Sequence, residues 1–136
     1  MKLNKAFKFR LYPNKSQAAL VNKTFGCCRF IYNKMLGDKI DYYNEHKAKL
    51  NNTPAQYKGK FEWLKEVDSY ALCNEQMNLQ AAYNNFFRKP KTGFPKFKSK
   101  KCTKKTYTTS NVNNVIRIND KHQIHLSKLG WVKFVE

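Results

Sequence analysis

The sequence predicts an α+β fold in which a helical region is inserted into a small β-barrel or sheet. Two observations support this. Apolar residues recur with helical spacing from about residue 15 to residue 88, and they alternate with a period of two both before and after that region. One strand therefore precedes the helices and several follow them. The first strand needs partners, and only the later strands can supply them.

Residues 5–12 (KAFKFRLY) form the first predicted strand, because apolar and basic side chains alternate along them. The apolar face carries Phe7, Phe9 and Leu11, and the outward face carries Lys8, Arg10 and Tyr12. Pro13 ends the strand, since proline lacks the N–H that a strand ladder uses. The outward face is cationic.

A long helix is predicted to start at Lys15, with Asn14 as its N-cap and Gln17 at the position where a capping-box side chain reaches back. Its apolar stripe includes Leu20, Cys27, Ile31 and Met35. Two endings are compatible with the pattern: a break at Gly37, or continuation to Leu50.

A polar loop is expected over residues 51–59, followed by one apolar helical turn over residues 61–67. Asp68 or Ser69 then caps a second helix that runs to about Arg88. Its apolar face contains Leu72, Leu79, Tyr83 and Phe86, and the rest of the helix is rich in Asn and Gln. These amides are either solvent-exposed or available to base edges, since Asn and Gln can pair with adenine.

Residues 88–105 form a basic connector with nine Lys or Arg and no Asp or Glu. Like-charge runs are usually solvated linkers, but this one holds Gly93, Pro95 and two phenylalanines, Phe94 and Phe97, which favour an ordered segment. Such a segment can displace counterions from a phosphate backbone.

Four short strands are predicted after the connector, with a hairpin turn over residues 119–122. They cover residues 105–110, 114–119, 123–127 and 131–135. The pattern shows no further strand to close the sheet. We expect either an incomplete barrel or a chain that is the front part of a longer protein.

Composition restricts the function. The 136 residues include 27 basic and 9 acidic side chains, a net charge of +18, and 15% aromatics, which indicates a folded protein that attracts polyanions. No apolar run reaches the roughly 20 residues of a spanning helix, so a membrane partner is not expected. The N-terminus lacks a signal-peptide pattern, so the expected location is the cytoplasm. No metal-binding cysteine spacing, phosphate loop or nucleophile motif is present, so we expect binding without catalysis and no cofactor in this chain.

Six blocks in order resemble the amino-terminal region of the TnpB (OrfB) proteins of insertion-sequence transposons. They are KAFKFRLYPNKSQ, NKTFGCCRFIYNKML, WLKEVDSYAL, NNFFR, GFPKFKSKK and KLGWVKF. The resemblance implies part of a transposase-like, RNA-guided DNA endonuclease. It also implies an OB-like wedge barrel with an inserted helical recognition domain. Residues 1–13 would hold the first strand of the barrel, residues 14–90 the helical domain, and residues 91–136 the basic connector and the remaining strands. The family's RuvC-like nuclease, its divalent metal and its zinc ribbon are expected outside this chain, and a separate chain could supply the nuclease half.

The resemblance implies two partners, a guide RNA from the transposon end and double-stranded DNA next to a short motif. The motif would be read by Ser69, Tyr70, Cys73 and Asn74, joined by Thr109, Ser110 and Asn111, with Tyr57 as a further contact. The predicted phosphate contacts are Lys8, Arg10, Lys96, Lys98, Lys100, Lys101, Lys104 and Lys105. Family members often carry longer side chains than Ser69 and Cys73, so the motif preference is left open.

Two alternatives stay open at the level of the sequence. The chain could be an independent DNA-binding regulator with a helix-turn-helix, although some twenty residues separate its two main helices instead of a tight turn. It could also be a truncated remnant whose barrel cannot close. Cooperative thermal unfolding would exclude the remnant.

Overall fold

A computed structural model describes residues 5–101 and 105–135 and confirms the α+β class. Two helices, α1 (Lys15–His46) and α2 (Ser69–Arg88), lie in the chain between strand β1 (Arg10–Tyr12) and strands β2 (Arg117–Ile118), β3 (Gln123–Leu126) and β4 (Gly130–Val135). The chain divides into two compact units, residues 1–21 with 111–136, and residues 22–110. The predicted division at residues 13 and 90 stays a prediction.

The first unit contains a four-stranded antiparallel sheet in the order β1-β4-β3-β2. The first strand pairs with the last, Tyr12 opposite Lys133, which confirms that its partners come from the C-terminal strands. Alternate residues of β3 and β4 are buried and form the inner face: Ile124, Leu126, Val132 and Phe134. The ring of Phe9 packs edge-on against Phe134, with 5.2 Å between centroids. The described strands form an open sheet, and closure into an OB-like barrel stays a prediction.

Three strand predictions need correction. The first strand covers residues 10–12 rather than 5–12, because Arg10 already pairs with Val135, the last described residue of β4, and Phe7 is exposed. Residues 114–119 contribute only Arg117 and Ile118 to the sheet. Residues 105–110 form no strand. The hairpin turn at 119–122 is confirmed, with the Asn119 side chain accepting hydrogen bonds from the N–H of Lys121 in the turn and from the N–H of Gln123 at the start of β3.

Helix α1 starts as the sequence predicts. The Asn14 side chain accepts a hydrogen bond from the Gln17 N–H at 2.9 Å, and the Gln17 side chain accepts one from the Asn14 N–H at 3.0 Å. This reciprocal pair is a capping box. The helix continues unbroken through Gly37 to His46, so the shorter of the two endings is wrong.

The second unit has its core between α1, α2 and the chain that joins them. Its fully buried side chains include Ile31, Met35, Leu36, Leu64, Val67, Leu72 and Leu79. The expected loop contains a short 3-10 helix at Pro54–Tyr57, and the expected single turn is a 3-10 helix at Glu62–Glu66. A third 3-10 helix at Pro90–Thr92 follows α2 and ends at Gly93, whose φ of +89° favours glycine.

A candidate nucleic-acid interface at the start of α2

The buried carboxylate of Asp68 organises the start of α2. One carboxylate oxygen accepts the Tyr70 N–H at 3.0 Å and so caps the helix, as predicted. The other accepts a hydrogen bond from the Thr109 hydroxyl. Because Asp68 is only 3% exposed, both bonds are shielded from water. The residues around Thr109 are therefore held beside the start of α2.

The segment from Lys105 to Ser110 is fixed at a second point by Tyr107. The Tyr107 ring lies 6.2 Å from the Phe25 ring of α1, and burial raises the pKa of Tyr107 to about 12, with the charges of Asp68 and Cys28 adding to the rise. Alternate residues thus point at helical neighbours instead of at a strand partner. This explains why an alternating sequence forms no strand here.

The first two turns of α2 present an exposed polar face. Ser69, Tyr70 and Cys73 are exposed and Asn74 is half-buried, and their spacing places them on adjoining parts of one helix surface. The structure thus brings together four of the predicted motif-reading residues with Thr109, and Ser110 follows directly in an exposed position.

Lys58 belongs to this surface and was missed by the sequence reasoning. Its ammonium donates to the Ser69 hydroxyl at 2.8 Å, which places a positive charge at the exposed start of α2. The sequence feature that could have indicated this contact is the position of Lys58 in a basic, glycine-containing loop between α1 and α2. The contact itself could not be predicted, because the path of the loop between Lys58 and Ser69 depends on folding.

Two predicted contacts are engaged within the protein. The Tyr57 hydroxyl donates to Asp38 at 2.7 Å and accepts from the Asn52 amide at 2.8 Å. Burial, followed by the bond to Asp38, raises the pKa of Tyr57 to about 12. Asn111 lies in the other unit, where its side chain accepts from the Ile116 N–H at 3.1 Å and closes a local turn.

The described part of the basic connector is anchored to the helices. Pro95 is buried, and the Phe94 ring packs edge-on against Tyr83 and Phe86 of α2, at 5.4 Å from each. The Asn33 side chain of α1 accepts the Lys98 N–H at 2.7 Å and donates to the Lys98 carbonyl at 2.8 Å. This agrees with the prediction of an ordered segment.

The predicted connector lysines differ in their surroundings. Lys96, Lys100, Lys101 and Lys105 are exposed, and no Asp or Glu of residues 5–101 and 105–135 forms an ion pair with them. The Lys98 ammonium instead lies 3.3 Å from the buried Glu75 carboxylate and 4.2 Å from the Tyr32 ring centroid. Lys104 lies outside the described residues. These four lysines are therefore accessible to solvent, whereas Lys98 holds the connector on the helices.

Lys8 and Arg10 are exposed in the other unit, Arg10 within β1 and Lys8 just before it. Across the described part of the chain, no group of three or more His, Cys, Asp or Glu residues is placed to hold a metal ion. Over the same residues, no helix has the length and apolar character needed to cross a membrane.

The chain is similar to one family model and to several known proteins. A family model described as a helix-turn-helix domain, of the IS605 OrfB group, matches residues 1–48. Within that range, the described residues 5–48 contain strand β1 and the unbroken helix α1. A Streptomyces pristinaespiralis protein named as an RNA-guided DNA endonuclease is 36% identical over 79% of this chain and 29% of its own length.

Two further relatives extend the comparison. The Escherichia coli K12 protein InsQ, also named as an RNA-guided DNA endonuclease, is 30% identical over 98% of this chain and 34% of its own length. Virulence protein VsdF of Salmonella dublin is 36% identical over 71% of this chain and 93% of its own length. The chain thus spans about a third of the two proteins named as endonucleases and nearly all of VsdF.

Proposed function

Because this chain belongs to the TnpB (OrfB) family of insertion-sequence transposon proteins, we propose that it is a nucleic-acid-binding module. It binds a guide RNA from the transposon end and the DNA next to a short target motif. The observation that carries the proposal is the exposed polar face at the start of α2, with Lys58 and Thr109 held against it. The proposal assigns binding, and no catalytic step, to these residues.

The start of α2 is proposed to read the DNA motif. Ser69, Tyr70 and Asn74 offer hydrogen-bonding groups of the types that meet base edges, and the Asn74 amide can pair with adenine. Cys73 and Ser110 complete this surface. Lys58 supplies a phosphate contact that fixes the position of the helix on the duplex. The Tyr57 hydroxyl, which is used internally, supports this surface by holding the preceding loop.

The exposed lysines are proposed to contact phosphates. Lys96, Lys100, Lys101 and Lys105 of the connector have this role, and so do Lys8 and Arg10 in the other unit. Lys104, which lies outside the described residues, is included from the sequence alone. Lys98 anchors the connector through Glu75.

The names of two relatives, which include RNA guidance, support a guide RNA as one of the partners. The open sheet is proposed as part of an OB-like wedge.

The phosphate contacts are tested by the salt dependence of binding to a labelled duplex and a labelled RNA. Each phosphate contact contributes about 0.9 to the slope of log affinity against log salt for duplex DNA and about 0.7 for single strands. The double variant K100A/K101A should lower the slope by roughly twice that amount. The control K49A/K65A, which removes two exposed lysines elsewhere, should keep the wild-type slope.

Lys98 gives an internal contrast. K98A leaves the buried Glu75 carboxylate without its cation, so it should lower the thermal midpoint and leave the salt slope almost unchanged. Equal slopes for the wild type and K100A/K101A would contradict the proposed phosphate contacts.

A further inference from the structure

The outward face of the sheet carries aromatic rings and cations. Along β4 the side chains of Trp131 and Lys133 are exposed, whereas those of Val132 and Phe134 are buried. Residues directly opposite one another in an antiparallel sheet share a face. Two cross-strand rows therefore lie on the outward face: Tyr12, Lys133 and Gln123 in one, and Trp131, His125 and Arg117 in the other.

The Trp131 ring is held in place but keeps an accessible surface. The His125 ring packs edge-on against it at 5.3 Å, and the Arg117 guanidinium lies 5.7 Å from its centroid. His125 is itself fixed by a 2.7 Å hydrogen bond to the Val115 carbonyl. Trp131 retains 39% of its exposure and Tyr12 retains 52%. Both rings therefore present part of their surface to solvent.

A cleft of about 280 Å³ lies beside these rings. Its walls include Tyr12, Trp131 and Lys133, and its other lining residues are Pro13, Asn14, Gln17 and Gln123. The Gln17 amide donates to the Trp131 carbonyl at 2.7 Å, which fixes one wall. The cleft is close to the lower end of small-ligand pockets, roughly 300 Å³, and a single flat ring system suits it.

The charge of this unit selects the ligand. Among its described residues the only acidic side chain is Asp120, in the hairpin turn, while Arg10, Lys133 and Arg117 lie on the outward face. Exposed rings between cations are the arrangement by which proteins bind single-stranded nucleic acid, with bases stacked on the rings and phosphates near the cations. In a duplex the bases already stack on one another, so the rings cannot reach their faces.

We propose that this surface, the aromatic platform (Tyr12, Trp131, Lys133 and Arg117), binds unpaired nucleotides by stacking bases on Trp131 and Tyr12. This inference rests on the proposed function in one respect, that the ligand is a nucleic acid. The platform is a further binding site, in addition to the start of α2 and the connector lysines. RNA and DNA single strands offer the same ring faces, so both are included in the test.

Trp131 reports directly on this site. The chain has two tryptophans, and W63F leaves Trp131 as the only one. The W63F protein is titrated with an oligouridylate, an oligothymidylate and a duplex of equal length while tryptophan fluorescence is followed. Stacking predicts strong quenching by a single strand and little by the duplex. A stronger effect of the oligouridylate would identify RNA as the preferred source, and a stronger effect of the oligothymidylate would identify DNA.

Substitutions separate stacking from charge. W131L should weaken single-strand binding about tenfold, since stacking is worth about 1–3 kcal/mol per base, and should keep the salt slope. W131F keeps a ring and should retain most of the affinity, which guards against a folding defect. V135A removes an exposed apolar group from the same face of β4 without removing a ring, and should bind normally.

Two outcomes would contradict the proposal that the aromatic platform binds unpaired nucleotides. One is wild-type affinity of W131L for single strands, and the other is equal Trp131 quenching by single strand and duplex. If W131L binds normally while K100A/K101A lowers the salt slope, the platform is wrong and the proposed function stands. Absence of binding to every nucleic acid offered would overturn both.

Discussion

At the scale of single residues, Asp68 connects the fold to the candidate interface. It caps α2 and also accepts the Thr109 hydroxyl, so one carboxylate sets both the start of the helix and the position of the segment beside it. The sequence predicted the cap, because Asp precedes the helical pattern. It could not predict the bond to Thr109, because 41 residues separate the two side chains.

T109V tests this connection. Valine keeps the shape of threonine but leaves a buried oxygen of Asp68 without its donor, so the free energy of unfolding should fall by about 1–3 kcal/mol. The neighbouring exposed Thr108 provides a matched control, since T108V should change stability by no more than about 0.5 kcal/mol. Chemical denaturation of the three proteins measures the difference. Equal stabilities for T109V and T108V would show that the bond to Asp68 is unimportant.

The contacts of Lys98 also could not be predicted from the sequence. It lies within a run of basic residues and was predicted with them as a phosphate contact. In the structure its ammonium contacts Glu75 of α2 and Tyr32 of α1, and its backbone N–H bonds to Asn33 of α1. Charge along the chain predicts a basic surface, but which lysine is neutralised depends on side chains brought together by folding.

At the scale of elements, helix α1 stays continuous although it contains two glycines. The helix passes through Gly26 and Gly37 without a break, although glycine lowers helix stability by about 1 kcal/mol relative to alanine. A Cβ at Gly37 would lie 3.7 Å from the Phe97 ring, an ordinary contact distance. The packing of the connector therefore leaves room for alanine at this position.

G37A should raise the free energy of unfolding by up to about 1 kcal/mol. G93A provides a contrast of opposite sign, because the φ of +89° at Gly93 should make alanine cost about 1–2 kcal/mol. Denaturant unfolding of the two variants measures both effects. Destabilisation by G37A would mean that Phe97 cannot accept even a methyl group.

Helices were predicted better than strands for a physical reason. Capping residues and helical spacing are local signals, so both ends of α2 and the start of α1 followed from the sequence. Strand pairing depends on distant partners. The alternating residues 105–110 turn Tyr107 and Thr109 towards helices, whereas residues 123–126 and 130–135 find each other in the sheet.

At the scale of the whole molecule, the two units present different surfaces. The helical unit exposes the start of α2 and the connector lysines, and the sheet unit exposes the aromatic platform. The ordered sequence blocks predicted the family, and the comparisons agree with it. The platform was missed because only the observed strand register places Tyr12, Lys133 and Gln123 in one row.

The most direct test of the central claim is a salt-titrated gel-shift series with the full chain. It compares the RNA from the end of its own transposon, an unrelated RNA of equal length and duplex DNA. We predict selective binding of the transposon RNA that survives moderate salt. Equal binding to all three that disappears at the same salt concentration would show that the net charge of +18 alone accounts for it, and would contradict a specific guide-RNA module.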